Sequence, residues 1–172
     1  MLRISNGRMI DPASGTDALR DIWLENDRIV RITPPDGNGA PKQGNGETID
    51  ATGLIVAPGF IDLHCHLREP GIEGSETIET GTRAAARGGF TAVCPMPNTR
   101  PVNDSASVTR GILERAATVA STRVWPIGAA SAGSQGEKLA EIAAMQDAGI
   151  VGVSDDGKPI ATARLLRQVM EY

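Results

Sequence analysis

His64 and His66 are the only two histidines among 172 residues, and a single residue separates them. In a β-strand the side chains alternate between faces, so residues two apart point the same way and Cys65 points the other. Two imidazoles projecting together from a strand end can take adjacent positions around one divalent cation. Such a cation also needs an anionic partner. The pair Asp155-Asp156, followed by Gly157, offers carboxylates just past another apolar run. Arg68, two residues beyond His66, carries a planar guanidinium suited to a substrate carboxylate through paired, charge-assisted hydrogen bonds. Asn98, in Met96-Pro97-Asn98-Thr99, can donate its amide to the same carboxylate. Asp62, two before His64, shares the histidine face, where it either orients an imidazole from behind or serves as a structural carboxylate. Cys65 and Cys94 are expected to act as small buried hydrophobes rather than as thiolates.

Strands and helices in alternation must hold these groups. Phe60 to Leu63 reads as a strand, and Ser75 is placed to cap a helix that runs to Arg87 and stops at Gly88-Gly89. Phe90 to Cys94 is a continuous apolar strand of the kind covered on both faces. Asp104-Ser105 opens a helix to Ala120, and Arg123 to Gly128 forms a third strand. Ser134 to Ala148 is predicted helical with an apolar face of Leu139, Ile142, Ala143 and Met145. Ile150 to Val153 is the fourth strand, and Ala161 to Tyr172 a fourth helix. Four strand–helix units in succession imply a parallel sheet with right-handed crossovers, in amount half of a (β/α)8 barrel. Active sites of such barrels gather where the strands end, which is where His64, His66, Asn98 and Asp155-Asp156 fall. Residues 1 to 55 read differently, as short strands and turns of a small antiparallel layer, with a turn at Asn6-Gly7. Pro34 to Gly46 is expected to be a solvated loop, and Glu47 to Asp50 a returning strand. The domain boundary is therefore expected near residue 55, with a barrel portion over 56–172.

Composition sets outer limits. With 40% hydrophobic and 22% charged residues the chain matches a soluble globular protein. A net charge of -4 argues against a general binder of nucleic acid or of anionic membranes. No apolar run approaches the roughly 20 residues needed to span a bilayer. Two cysteines make no disulfide framework, so a cytoplasmic location is expected.

The run GFIDLHCHLREPG, residues 59–71, resembles the metal-binding motif of the cyclic amidohydrolases, the family of dihydroorotase, allantoinase and hydantoinase. The resemblance implies a (β/α)8 TIM-type barrel preceded by part of a β-sandwich. It further implies one or two divalent metals, expected to be Zn2+, with His64 and His66 as ligands at the end of the first barrel strand. Hydantoinase-like members use a carboxylated lysine on strand four, whereas IVGVSDDG has none and Lys158 lies beyond Gly157. Long-chain bacterial dihydroorotases have Asp-Asp-Gly at this point and use the second Asp, which makes Asp156 the third ligand and leaves Asp155 to hold the loop. Gly88-Gly89-Phe90-Thr91 and Met96-Pro97-Asn98-Thr99 fit the same type. On this resemblance Arg68 and Asn98 take the carboxylate of dihydroorotate. The implied reaction is the reversible interconversion of carbamoyl aspartate and dihydroorotate in pyrimidine biosynthesis, by water activated on a metal toward a pKa of about 7. The acid–base aspartate of the family ends strand eight and is expected beyond residue 172, in a chain of roughly 400 residues. The alternatives are an allantoinase or hydantoinase, or a non-catalytic dihydroorotase-like subunit serving aspartate transcarbamoylase. A homodimer or a complex with aspartate transcarbamoylase is the assembly to expect.

Overall fold

The computed structural model describes residues 1–35 and 46–172. The loop expected over Pro34 to Gly46 falls for the most part outside the described residues. The chain divides into two units, Met1–Pro58 and Gly59–Tyr172.

In the first unit, β1 (Leu2–Asp11), β2 (Thr16–Glu25), β3 (Arg28–Thr33) and β4 (Glu47–Asp50) form a sheet in the order β3-β2-β1-β4, and β5 (Ile55–Val56) also pairs with β1. Asn26 and Asp27, with φ of 48° and 62°, join β2 to β3. Positive φ at both central residues of a two-residue loop matches the twist of an antiparallel hairpin. The layer is not purely antiparallel as expected, because β4 and β5 both run parallel to β1. Nor is Asn6-Gly7 a turn. It lies within β1, where the register shifts between Ile4 and Gly7 and Asn6 has a φ of 60°. The cause is a fully buried carboxylate: Asp21 accepts from the Asn6 N–H at 2.9 Å and from the Arg3 guanidinium, holding a bulge open. Gly7 is needed there because a Cβ would come within 2.5 Å of Val56 Cγ2.

The second unit alternates strands and helices: β6 (Phe60–Cys65), α1 (Ile78–Arg87), β7 (Phe90–Pro95), α2 (Ala106–Val119), β8 (Arg123–Val124), β9 (Ile127–Gly128), α3 (Ile142–Ala148), β10 (Gly152–Val153) and α4 (Ala163–Glu171). All the strand pairings are parallel: β6 with β7, β7 with β8, and β9 with β10. The third expected strand is thus split into β8 and β9. Pro126 lacks an N–H and interrupts the ladder. The run still bridges its neighbours, since Trp125 donates to the Val93 carbonyl at 2.9 Å and Val151 donates to the Pro126 carbonyl at 3.1 Å.

Helix α1 is capped by Thr77, not Ser75: the Thr77 hydroxyl accepts from the Thr80 N–H at 3.1 Å while Thr80 Oγ1 accepts from the Thr77 N–H at 3.2 Å. The third helix is much shorter than the predicted Ser134 to Ala148. A 3₁₀ turn at Ala132–Ser134 and an irregular stretch precede it, with Gly133, Ser134 and Gly136 all at positive φ. Leu67, Ile78, Val93, Ile112, Ala116 and Val124 pack α1 and α2 onto β7, and Met145 is fully buried in a second cluster with Ala140 and Ile142. Among the described residues no helix is long and apolar enough to cross a membrane.

Candidate metal centre

The C-terminal ends of β6 and β10 deliver three side chains to one place. His64 is the penultimate residue of β6, and strand alternation turns it and His66 to the same side, with ring centroids 5.4 Å apart and planes at 75°. Asp156 follows β10 by three residues. Its carboxylate lies between the imidazoles, with Oδ1 3.1 Å from His64 Nε2 and Oδ2 3.7 Å from His66 Nε2. One donor atom from each of the three lies within 4.8 Å of the others. Around a tetrahedral zinc, ligand bonds near 2.1 Å put donors about 3.4 Å apart, so a small contraction would satisfy the ion. Two imidazole nitrogens and a carboxylate oxygen are the donor set that divalent zinc favours, and three protein donors leave a coordination position open. By donor chemistry and spacing the residues fit a divalent cation.

The backbone that aims Asp156 is unusual. Asp156 has a φ of 23°, outside the comfortable range of an L-residue, and Gly157 follows at 75°. Its N–H donates to Ser154 Oγ at 3.0 Å. The neighbouring Asp155 turns the opposite way into the protein and is 6% exposed. Asp155 Oδ1 accepts from the Ala130 and Ser131 N–H groups, both at 2.9 Å, and Oδ2 accepts from the Ser131 hydroxyl at 2.5 Å. One carboxylate is therefore tied to the loop after β9 while the next faces the histidines. Nothing in the run Ala129-Ala130-Ser131 signals that role, because small residues and a serine are ordinary loop composition.

The remaining expected residues fall as follows. Asn98, three residues past β7, bonds to His66 Nδ1 through Oδ1 at 3.0 Å and donates from Nδ2 to Asp156 Oδ2 at 2.7 Å. Sequence reasoning placed this amide on a substrate carboxylate and missed its contacts with two of the three candidate ligands. Asp62 does not reach an imidazole; its Oδ1 accepts the backbone N–H of His64 at 3.0 Å. Arg68 is half-buried with a φ of 60°, and no side-chain hydrogen bond or ion pair engages its guanidinium among the described residues. The turn that carries it is held in place by Glu69, whose Oε2 accepts from the Ile78 N–H at 2.9 Å and whose Oε1 pairs with Arg115 at 2.8 Å. Gly71 is equally tight, since a Cβ there would come within 2.0 Å of the Arg100 carbonyl oxygen.

The cysteines take no part. Burial, helped by the Asp62 carboxylate and the Cys94 thiol, pushes the Cys65 thiol up to about 12, and burial likewise raises Cys94. Both are protonated at neutral pH, which removes the thiolate that a nucleophile requires, and neither stands among the donors that converge at His64, His66 and Asp156.

A family model described as dihydro-orotase-like matches residues 53–172. A dihydroorotase of Solibacter usitatus (strain Ellin6076) is 56% identical over 169 residues, covering 98% of this chain and 38% of that protein. The chain spans 38% to 40% of the length of this and other curated dihydroorotases that it matches. Among solved structures, the L-hydantoinase of Arthrobacter aurescens superposes with a TM-score of 0.75 at 21% identity, over 98% of this chain and 37% of that one. The N-acyl-D-glutamate deacylase of Bordetella bronchiseptica, solved with zinc and a phosphonate inhibitor, does so with a TM-score of 0.62 at 22% identity, over 98% and 41%. At such identities the likeness is one of fold, a mixed α/β architecture. With the family model covering most of the chain and a relative more than half identical across it, the chain belongs to the dihydro-orotase-like family.

Proposed function

We propose that this chain supplies the first four strand–helix units of a (β/α)8 barrel, with part of a β-sandwich before them, to a metal-dependent dihydroorotase. The observation that carries the reading is the convergence of His64, His66 and Asp156 at the ends of parallel strands, with donor atoms within 4.8 Å of one another. His64 and His66 would hold a zinc ion through their Nε2 atoms and Asp156 through its carboxylate. Such an ion, when bound, polarises a carbonyl and brings water toward a pKa of about 7.

The chain's own residues account for substrate choice. Arg68 has no side-chain partner among the described residues, on a turn two residues past the second histidine, and its fork is suited to bind a carboxylate in two parallel hydrogen bonds. Dihydroorotate and carbamoyl aspartate carry such a carboxylate beside the amide that opens and closes, so anchoring it sets the ring against the ligand cluster. Asn98 keeps one amide N–H beyond the one given to Asp156, and that N–H can serve the same anion. Asp155 holds the loop. Lys158 is exposed and lies outside β10, so the strand offers no lysine to bridge two metals and nothing here favours a hydantoinase over a dihydroorotase.

The test is conversion of carbamoyl aspartate to dihydroorotate, followed chromatographically with the full-length protein before and after chelation and after zinc is restored. Loss and recovery of ring closure support the reading. Turnover of hydantoin or allantoin in preference to dihydroorotate, or activity indifferent to chelation, would overturn it.

A further inference from the structure

The amide of Asn98 touches two of the three candidate ligands at once. Its orientation is fixed by chemistry: the Nδ2 group lies 2.7 Å from Asp156 Oδ2, where an amide oxygen would face a carboxylate oxygen with no proton between them. The other end of the amide is then an oxygen, which can only accept, 3.0 Å from His66 Nδ1. That contact keeps the imidazole proton on Nδ1 and leaves the lone pair on Nε2, the atom that faces Asp156 at 3.7 Å. The donated N–H engages Oδ2 of Asp156 and leaves Oδ1 toward His64 at 3.1 Å.

The loop beneath Asn98 is rigid enough to impose these choices. Pro97 is fully buried, and its carbonyl accepts from the Thr99 N–H at 2.8 Å and from the Asn103 N–H at 3.0 Å. Asn103, 1% exposed, donates in turn to the Ile127 carbonyl at 2.9 Å and accepts from the Thr109 hydroxyl at 2.7 Å. None of these backbone contacts depends on the Asn98 side chain, so the side chain is free for a task of its own.

We propose that Asn98 is a positioning residue of the metal centre: its amide selects the His66 tautomer and orients the Asp156 carboxylate before any substrate arrives. The inference rests on the metal-binding reading above and adds to it a role for Asn98 that does not pass through substrate.

The experiment measures zinc affinity of the substrate-free, full-length protein by competition with a chromophoric chelator. Asn98→Leu keeps the size and removes both hydrogen bonds, and zinc affinity should fall about 10- to 100-fold, as for other outer partners of metal ligands. Arg68→Ala, which removes only a contact to substrate, should bind zinc within about twofold of the parent. Nitrogen-15 shifts of His66 in the metal-free protein give a second readout: the parent should show the proton on Nδ1, and Asn98→Leu a shift toward the other tautomer. Should the leucine variant fail to fold, Asn98→Ser, too short to reach either ligand, gives the same two readings. Unchanged zinc affinity or an unchanged His66 tautomer in a folded variant would overturn the proposal. His64→Ala separates the two levels: if it too binds zinc like the parent, the metal-binding reading itself fails, whatever Asn98 does.

Discussion

Arg68 and Cys65 are the two residues whose chemistry is most directly testable. The Arg68 side chain meets no hydrogen-bonding or ionic partner among the described residues, and its backbone is held at a φ of 60°, a position whose cost suits a residue presented for function. Arg68→Lys keeps the charge and loses the planar fork, so turnover of dihydroorotate by the full-length protein should fall about tenfold or more. A cyclic amide without the carboxylate should lose much less, and equal losses on both substrates would make Arg68 structural. Cys65 yields a pH prediction. Its folded thiol titrates at about 12, above the unfolded value of 9.0, so the folded state binds the extra proton at high pH. The associated stability is complete below pH 9 and drains away as pH rises toward 12. Denaturant titrations across that window should show a shallower decline for Cys65→Ala than for the parent; identical slopes would show that the Cys65 thiol is not held in its protonated form. At this scale the sequence was informative where periodicity decides: a period of two puts His64 and His66 together and Cys65 apart. It could not separate Asp155 from Asp156, since adjacent residues past a strand have no fixed direction until the loop is built. The choice rests on the family's pattern; in the structure the Asp156 carboxylate faces His64 and the Asp155 carboxylate accepts from the Ala130 N–H.

Elements were legible in kind and order, less so in extent. Apart from the strand split at Pro126, the failures share a cause, which is that local hydrogen bonding overrode helix or strand propensity. The stretch Gly136-Glu137-Lys138-Leu139-Ala140 is compatible with a helix, yet Ser131 bridges to Leu139 and Ala132 donates to the Lys138 carbonyl at 2.8 Å, so α3 cannot begin before Ile142. That loop is ordered by Asp155, through two backbone N–H groups and the Ser131 hydroxyl. The same residue is covalently joined to Asp156, so the loop and the candidate ligand should respond as one. Asp155→Asn replaces acceptor pairs with an amide that meets N–H donors; hydrogen bonds to a charged group contribute about 1.5–3 kcal/mol, so a stability loss in that range is expected. Zinc binding should weaken alongside it. A variant that loses stability but binds zinc as tightly as the parent would show that the loop does not set the direction of Asp156. Ile78→Ala is the contrasting case, a fully buried side chain between α1 and β7 whose truncation should cost about 2–5 kcal/mol with little change in zinc affinity once folded.

At the scale of the whole molecule the parallel strands present apolar side chains that nothing among the described residues covers. Phe60, Leu63 and Val151 are 61%, 71% and 56% exposed, although strands of a parallel sheet are ordinarily covered on both faces. β6 is the edge of its sheet, with β7 on one side only, and an open edge bearing apolar groups is a template for association between copies. The proposed ligand set is lean as well: two imidazoles and one carboxylate would hold a catalytic zinc, but His64 is 58% exposed at its side chain, where water would compete for the ion and weaken the site. Taken by itself, then, the 172-residue chain should self-associate, bind zinc at least tenfold more weakly than the full-length protein, and open no dihydroorotate above background. Light scattering, chelator competition and product analysis on the isolated chain check the three parts. A monodisperse monomer with zinc-dependent ring opening would sink the expectation, because it would mean that three ligands and an uncovered sheet suffice for chemistry that the barrel reading assigns to a closed site.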